Sequence, residues 1–120
     1  MIKSMKSIVY PSSNIEADVA FWTKVLGKEP YFNEHYYVGF KVDGYELGLD
    51  PNAISEGVTQ PVTYWGVADI EEEVTRLVAL GMTLHEPIQE LSSGVKIAKL
   101  KDAIGYMFGI VSSKEQDSFF

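Results

Sequence analysis

The chain has 120 residues, 46% of them hydrophobic and 22% charged, which suffices for one compact domain with its own core and is too short for two. Ten Lys and Arg stand against 17 Asp and Glu, a formal charge of -7, so nucleic acid and anionic membrane surfaces are disfavoured as partners. With no cysteine there is no disulfide framework, thiolate metal site or cysteine nucleophile; with no signal-peptide pattern and no membrane-spanning run either, a soluble cytoplasmic protein is expected.

In chain order, "SIVY" (7–10) reads as a strand and "NIEADVAFWTKVLG" (14–27) as an amphipathic helix with Ile15, Val19, Trp22 and Leu26 on one stripe. Ser13 with Glu16 has capping-box spacing, and Gly27 stands where a left-handed C-cap is wanted. Three strands follow, "YFNE" (31–34), "YYVGFKV" (36–42) and "GYELGL" (44–49), the last two joined at Asp43-Gly44, a favoured two-residue hairpin turn. That turn pairs Val42 with Tyr45, Lys41 with Glu46 and Gly39 with Gly48. "DPNAISEGVTQP" (50–61) has two prolines, a glycine and no periodicity, and reads as a linker.

The order then begins again. "VTYWGV" (62–67) reads as a strand and "DIEEEVTRLVALG" (69–81) as a helix with Ile70, Val74, Leu77 and Leu80 on its stripe, an Asp69–Glu72 capping box and Gly81 at its end. "MTLHE" (82–86), "VKIAKL" (95–100) and "GYMFGI" (105–110) are further strands, and "EPIQELSSG" (86–94) is a longer hairpin loop. The segment after Ser112 is polar until Phe119 and Phe120. The two helices and the strands before them repeat at a constant offset, and "GYELGL" is echoed by "GYMFGI" in register. The chain is therefore one α+β domain of two tandem β-α-β-β-β modules, about 3–50 and 62–112, with a linker at 51–61. A ferredoxin-like repeat, with one or two strands after each helix, fits less well.

With "FWTKVLG" closing the first helix and "VADIEEEVTRLVALG" opening the second half, this repeat resembles the vicinal oxygen chelate superfamily of glyoxalase, bleomycin-resistance and extradiol-dioxygenase proteins. "LKDAIGYMFGIV" is similar to that superfamily's "DPxGNxxEL" strand, with Asp102 and Gly105 retained and the proline and glutamate replaced. The resemblance implies a curved, cup-like mixed sheet with helices on its convex side, and it implies pairing of modules in a homodimer. Metal-dependent members take ligands from the first and last strand of each module, which by alignment are Ser7, Gly48, Val62 and Gly109 here. None can ligate a catalytic divalent ion, so no metal and no cofactor are expected.

Strand parity sorts the remaining candidates. Val38, Phe40, Val42, Tyr45, Leu47, Leu49, Trp65, Val67, Phe108 and Ile110 alternate onto the face that packs on the helices. The other face carries Ser7, Tyr37, Gly39, Gly48, Val62, Tyr64, Met107 and Gly109, which together make a small, partly aromatic and nearly uncharged candidate ligand surface. On this reading the glycines leave open space, and added volume there costs the fold little. Glu46 reads first as half of a solvated cross-strand ion pair with Lys41, and Glu71, Glu72 and Glu73 as a solvated helix cap. His35 and His85 form no cluster.

The expected function is metal-free binding of a small, partly aromatic molecule. The competing readings are a lyase, isomerase or dioxygenase-like enzyme with an atypical metal or acid–base site that uses Glu46, His35 or His85, and an interaction module whose cavity is plugged by large side chains.

Overall fold

A computed structural model of the protein describes residues 1–91 and 94–113; Phe119, Phe120 and the Ser92-Ser93 part of the expected loop lie outside the described residues. The chain divides into two compact units, residues 7–61 and residues 1–6 together with those from Val62 onward.

In the unit of residues 7–61, β1 (Ile2–Pro11, shared with the other unit) precedes α1 (Ile15–Leu26), β2 (Phe32–Glu34), β3 (Tyr37–Val42) and β4 (Tyr45–Asp50). The strand order is β2-β3-β4-β1, antiparallel except for the parallel β1–β4 pair. The β3–β4 register is the one expected, with Lys41 across from Glu46 and Gly39 across from Gly48. It is fixed by a turn in which Asp43 (φ 49°) and Gly44 (φ 86°) are both left-handed, as a two-residue hairpin turn requires. Val38, Phe40, Leu47 and Leu49 are buried and pack with Ile15, Val19, Trp22 and Leu26, the expected helix stripe. Each such side chain removed from water contributes about 1.5–3 kcal/mol. The N-cap of α1 is Asn14 and not Ser13: its side chain accepts from the Ala17 N–H at 3.2 Å. Both residue types can cap, and the chain turns extended at the later one. Tyr45, at the hairpin end, is exposed and stands outside the core it was expected to join. The expected linker is not featureless. A 3-10 turn, Ile54–Glu56, follows Ala53, and Ala53 and Val58 are both buried.

The other unit contains β5 (Val62–Val67), α2 (Ile70–Ala79), β6 (Thr83–Leu84), β7 (Gln89–Glu90), β8 (Lys96–Lys101) and β9 (Met107–Ser112). Here β1 neighbours β5, β5 pairs with β9 in parallel, and β8 pairs antiparallel with β9, β6 and β7. Val67, Ile70, Leu77, Ala98, Leu100 and Ile110 form its core. β7 is additional to the expected elements and falls in the stretch read as a loop. Trp65 is half-buried and stacks on Phe108 at 6.3 Å. Leu80 is exposed because α2 ends at Ala79, one residue short of the next stripe position. With three strands after α1 and four after α2 among the described residues, the ferredoxin-like alternative fails.

The expected Asp69 cap is present, accepting from the Glu72 N–H at 3.0 Å. Asp69→Ala is expected to cost about 1 kcal/mol in denaturant unfolding. The acidic start of α2 is not wholly solvated, however. Glu73 is 1% exposed, its carboxylate takes two hydrogen bonds from Arg76, at 3.1 and 2.7 Å, and the Met1 amine lies 2.8 Å from Oε1. The Arg76 hydrogen bonds, against an opposing effect of burial, hold the Glu73 carboxyl down at about 2.

Candidate functional site

The polar face of the unit of residues 7–61 is built on glycine. Gly39 and Gly48 face each other across β3 and β4. A Cβ at Gly48 would stand 1.9 Å from the Tyr37 hydroxyl, and one at Gly39 would stand 3.0 Å from Tyr31 Cε1 and 3.3 Å from Glu46 Cδ. The missing side chains are thus what allow two phenol rings to lie against the sheet. They do not leave open space, which corrects the expectation of a vacant glycine floor. Tyr31, just before β2, is fixed by its backbone N–H to the Gly39 carbonyl at 3.0 Å.

Both phenols converge on Glu46. Tyr31 donates to Oε1, and Tyr37 donates to Oε2 at 2.5 Å. Glu46 is 2% exposed, whereas Tyr31 is 42% exposed. The carboxyl of the expected Lys41–Glu46 pair is thus buried and held by tyrosines and not solvated; Lys41 stays across from it, with Nζ 5.2 Å from the centre of the Tyr31 ring. Burial pushes the Glu46 carboxyl above its ordinary value, against the pull of the two phenol hydrogen bonds and the Lys41 charge. Burial together with Glu46 also raises the Tyr31 phenol.

Ser7 adds the fourth group. It is paired with Glu46 in the parallel β1–β4 register, so the two side chains project from the same face of adjacent strands. Ser7 is 2% exposed, and its Oγ makes no hydrogen bond within the structure. A buried hydroxyl without a partner costs about 1–3 kcal/mol.

The expected ligand residues divide between the units. Ser7, Tyr37, Gly39 and Gly48 gather around Glu46, while Val62, Tyr64, Met107 and Gly109 belong to the other unit. There Tyr64 pairs with Gly109, and a Cβ at Gly109 would fall 2.5 Å from two atoms of the Tyr64 ring. This glycine too is covered by an aromatic ring. Val62 and Tyr64 are buried and Met107 is half-buried. His35 lies edge-on to Tyr36 at 5.3 Å, and His85 Nε2 is 3.8 Å from Glu86. Sequence reasoning missed Tyr31 and undervalued Glu46. The available signal was two tyrosines flanking a hairpin whose facing positions are both glycine.

Neither protein-family models nor curated protein sequences match the chain. Solved structures do. A Streptomyces coelicolor methylmalonyl-CoA epimerase variant in complex with 2-nitronate-propionyl-CoA is similar at a TM-score of 0.75, with 17% identity over 98% of this chain and 99% of that one. A glyoxalase/bleomycin resistance protein/dioxygenase superfamily member from Vibrio splendidus 12B01 is similar at 0.70, with 19% identity over 92% and 100%. This is the vicinal oxygen chelate fold. A Legionella pneumophila structure described as an NAD-dependent benzaldehyde dehydrogenase is also similar, at 0.70 and 16% identity over 90% and 98%. Names this varied show that likeness to vicinal oxygen chelate structures carries the architecture and not the activity.

Metal-dependent members of the superfamily that the sequence resembles gather several ligands at one centre, and the residues here do not fit such a site. Among the described residues no group of three or more His, Cys, Asp or Glu is placed to hold an ion. Glu46 is the one carboxylate in its cluster, and both of its oxygens already accept phenol protons. No helix among the described residues is long and apolar enough to cross a membrane.

Proposed function

We propose that this vicinal oxygen chelate protein binds a small molecule without a metal, at the face formed by Ser7, Tyr31, Tyr37 and Glu46, and works as a cytoplasmic homodimer. The observation that carries the reading is the buried Glu46 carboxyl, gripped by two phenols beside a buried Ser7 hydroxyl that lacks a partner. A fold stabilised only by packing gains nothing from such an arrangement, whereas a ligand that completes it recovers the cost of the bare hydroxyl. The half-exposed Tyr31 ring supplies an aromatic contact at the rim.

A thermal-shift screen with fragment-sized aromatics, run on the metal-stripped protein, tests this reading. Hits should raise the melting temperature without added metal, and Glu46→Gln should lose them. Hits that appear only with zinc, nickel, iron or manganese would overturn it. Light scattering at micromolar concentration tests the dimer, and a monomer there would refute that part.

A second reading, proton-transfer catalysis, is favoured by the raised proton affinity of Glu46. In this case Glu46 takes a proton from a carbon acid, and Tyr31 and Tyr37 steady the charge that develops. Deuterium incorporation into a bound compound from heavy water, abolished in Glu46→Gln, separates catalysis from binding.

A further inference from the structure

We infer that Ser7 and Glu46 receive the cationic, N–H-bearing end of a small ligand, a protonated amine or an amidinium, when the Tyr31 ring turns aside. This inference rests on the small-molecule reading above and names the ligand class.

The argument begins with where the protons are. Tyr31 and Tyr37 each have one hydroxyl proton, and each gives it to Glu46. Toward anything else the phenol oxygens can act only as acceptors, and the carboxylate is an acceptor throughout. Ser7 Oγ can accept as well, and it has no partner in the structure. The four polar side chains of the cluster thus offer oxygens and no side-chain N–H group. A carboxylate, phosphate or sulfonate brought to this face would meet one hydroxyl donor, that of Ser7, among acceptors and the Glu46 charge. An ammonium or amidinium brings N–H donors to these acceptors and a charge opposite to Glu46. The aromatic rings of Tyr31 and Tyr37 beside the carboxylate suit the same cation. A formal charge of -7 over the chain favours the approach of cations over anions.

The geometry also supplies an entrance. Ser7 and Glu46 are 2% exposed while Tyr31 is 42% exposed, so the Tyr31 ring lies between the carboxyl and water. Tyr31 is held by its backbone to Gly39, so a side-chain rotation uncovers Oε1 without moving the strand. Lys41, across from Glu46 and over the same ring, is the resident cation that a ligand must work beside.

The test titrates the full chain at neutral pH with benzamidine, benzyl alcohol and benzoate, three probes that share a ring and differ in charge. Benzamidine should bind more tightly than either of the others. Its affinity should fall roughly tenfold or more in Ser7→Ala and in Glu46→Gln, since each loses a hydrogen bond to a charged group. Ser7→Ala provides a readout that a packing role would not give: removing a bare buried hydroxyl should hold or raise the melting temperature even as binding weakens. If benzoate or benzyl alcohol binds as tightly as benzamidine and Glu46→Gln abolishes it, the ligand class is wrong and the binding site stands. If no probe binds, or benzamidine binds equally to wild type, Ser7→Ala and Glu46→Gln, both the class and the site are overturned.

Discussion

Gly48→Val and Gly109→Leu are each expected to destabilise the protein by about 1–3 kcal/mol, and by more where a displaced ring finds no other place. In Gly48→Val the new Cβ falls 1.9 Å from the Tyr37 hydroxyl and 2.6 Å from Cζ, so the whole ring must leave and with it the hydrogen bond to Glu46. In Gly109→Leu the collision is with the Tyr64 ring, two of whose atoms lie 2.5 Å from the new Cβ. Tyr64 is only 4% exposed and pairs with Gly109 across β5 and β9, which leaves little room for retreat. The two variants should differ in one respect. Gly48→Val should also weaken any ligand that depends on Glu46, while Gly109→Leu should act on stability first. Denaturant midpoints for both, read beside a binding titration, check this. Unchanged midpoints would show that the rings move away at no cost and that the glycines are spacers after all.

The glycines also show how far the sequence could be read. Alternation put Gly39 and Gly48 on one face, where they stand across from each other, and the Asp43-Gly44 turn gave the register of β3 and β4 to the residue. Both properties are local, one a period of two and the other a demand for left-handed backbone. What occupies the space above a glycine is not local. The Tyr31 and Tyr37 hydroxyls reach Glu46 from 15 and 9 residues away, and no spacing rule distinguishes a ring lying on a glycine from an empty one. Glu46 was misjudged for the same reason: beside Lys41 on a hairpin it has the local signature of a solvated pair, and only the covering phenols make it buried. Glu73 repeats the lesson on a helix, where a run of three glutamates looks uniformly solvated although one of them is 1% exposed. In α1 the error was one residue, since Ser13 and Asn14 can both cap and the choice depends on where the chain leaves β1. β7, two residues long, is too short for any periodicity to announce.

Glu46→Gln is expected to remove a stability loss that the wild type suffers as pH rises. Burial raises the folded-state affinity of Glu46 for a proton above the ordinary 4.5, so the native state binds that proton more tightly than the unfolded chain does. Its contribution to stability is complete below 4.5 and is lost as pH climbs through the raised folded value, with a limiting slope of about 1.4 kcal/mol per pH unit for one proton. Glu73 has the opposite sign. Its carboxyl is held at about 2, so its contribution is present above 4.5 and disappears as pH falls from there toward 2. The windows do not overlap. Glutamine keeps the shape and can still hydrogen-bond both phenols, accepting from one and donating to the other, so the variant should fold. Unfolding free energies of wild type and Glu46→Gln, measured side by side from about pH 4 to pH 8, should diverge upward in favour of the variant as pH rises. Subtracting one curve from the other cancels every titration the two proteins share. A flat difference would mean that Glu46 ionises as it does in water, and the buried carboxyl would lose its claim to be the centre of the site.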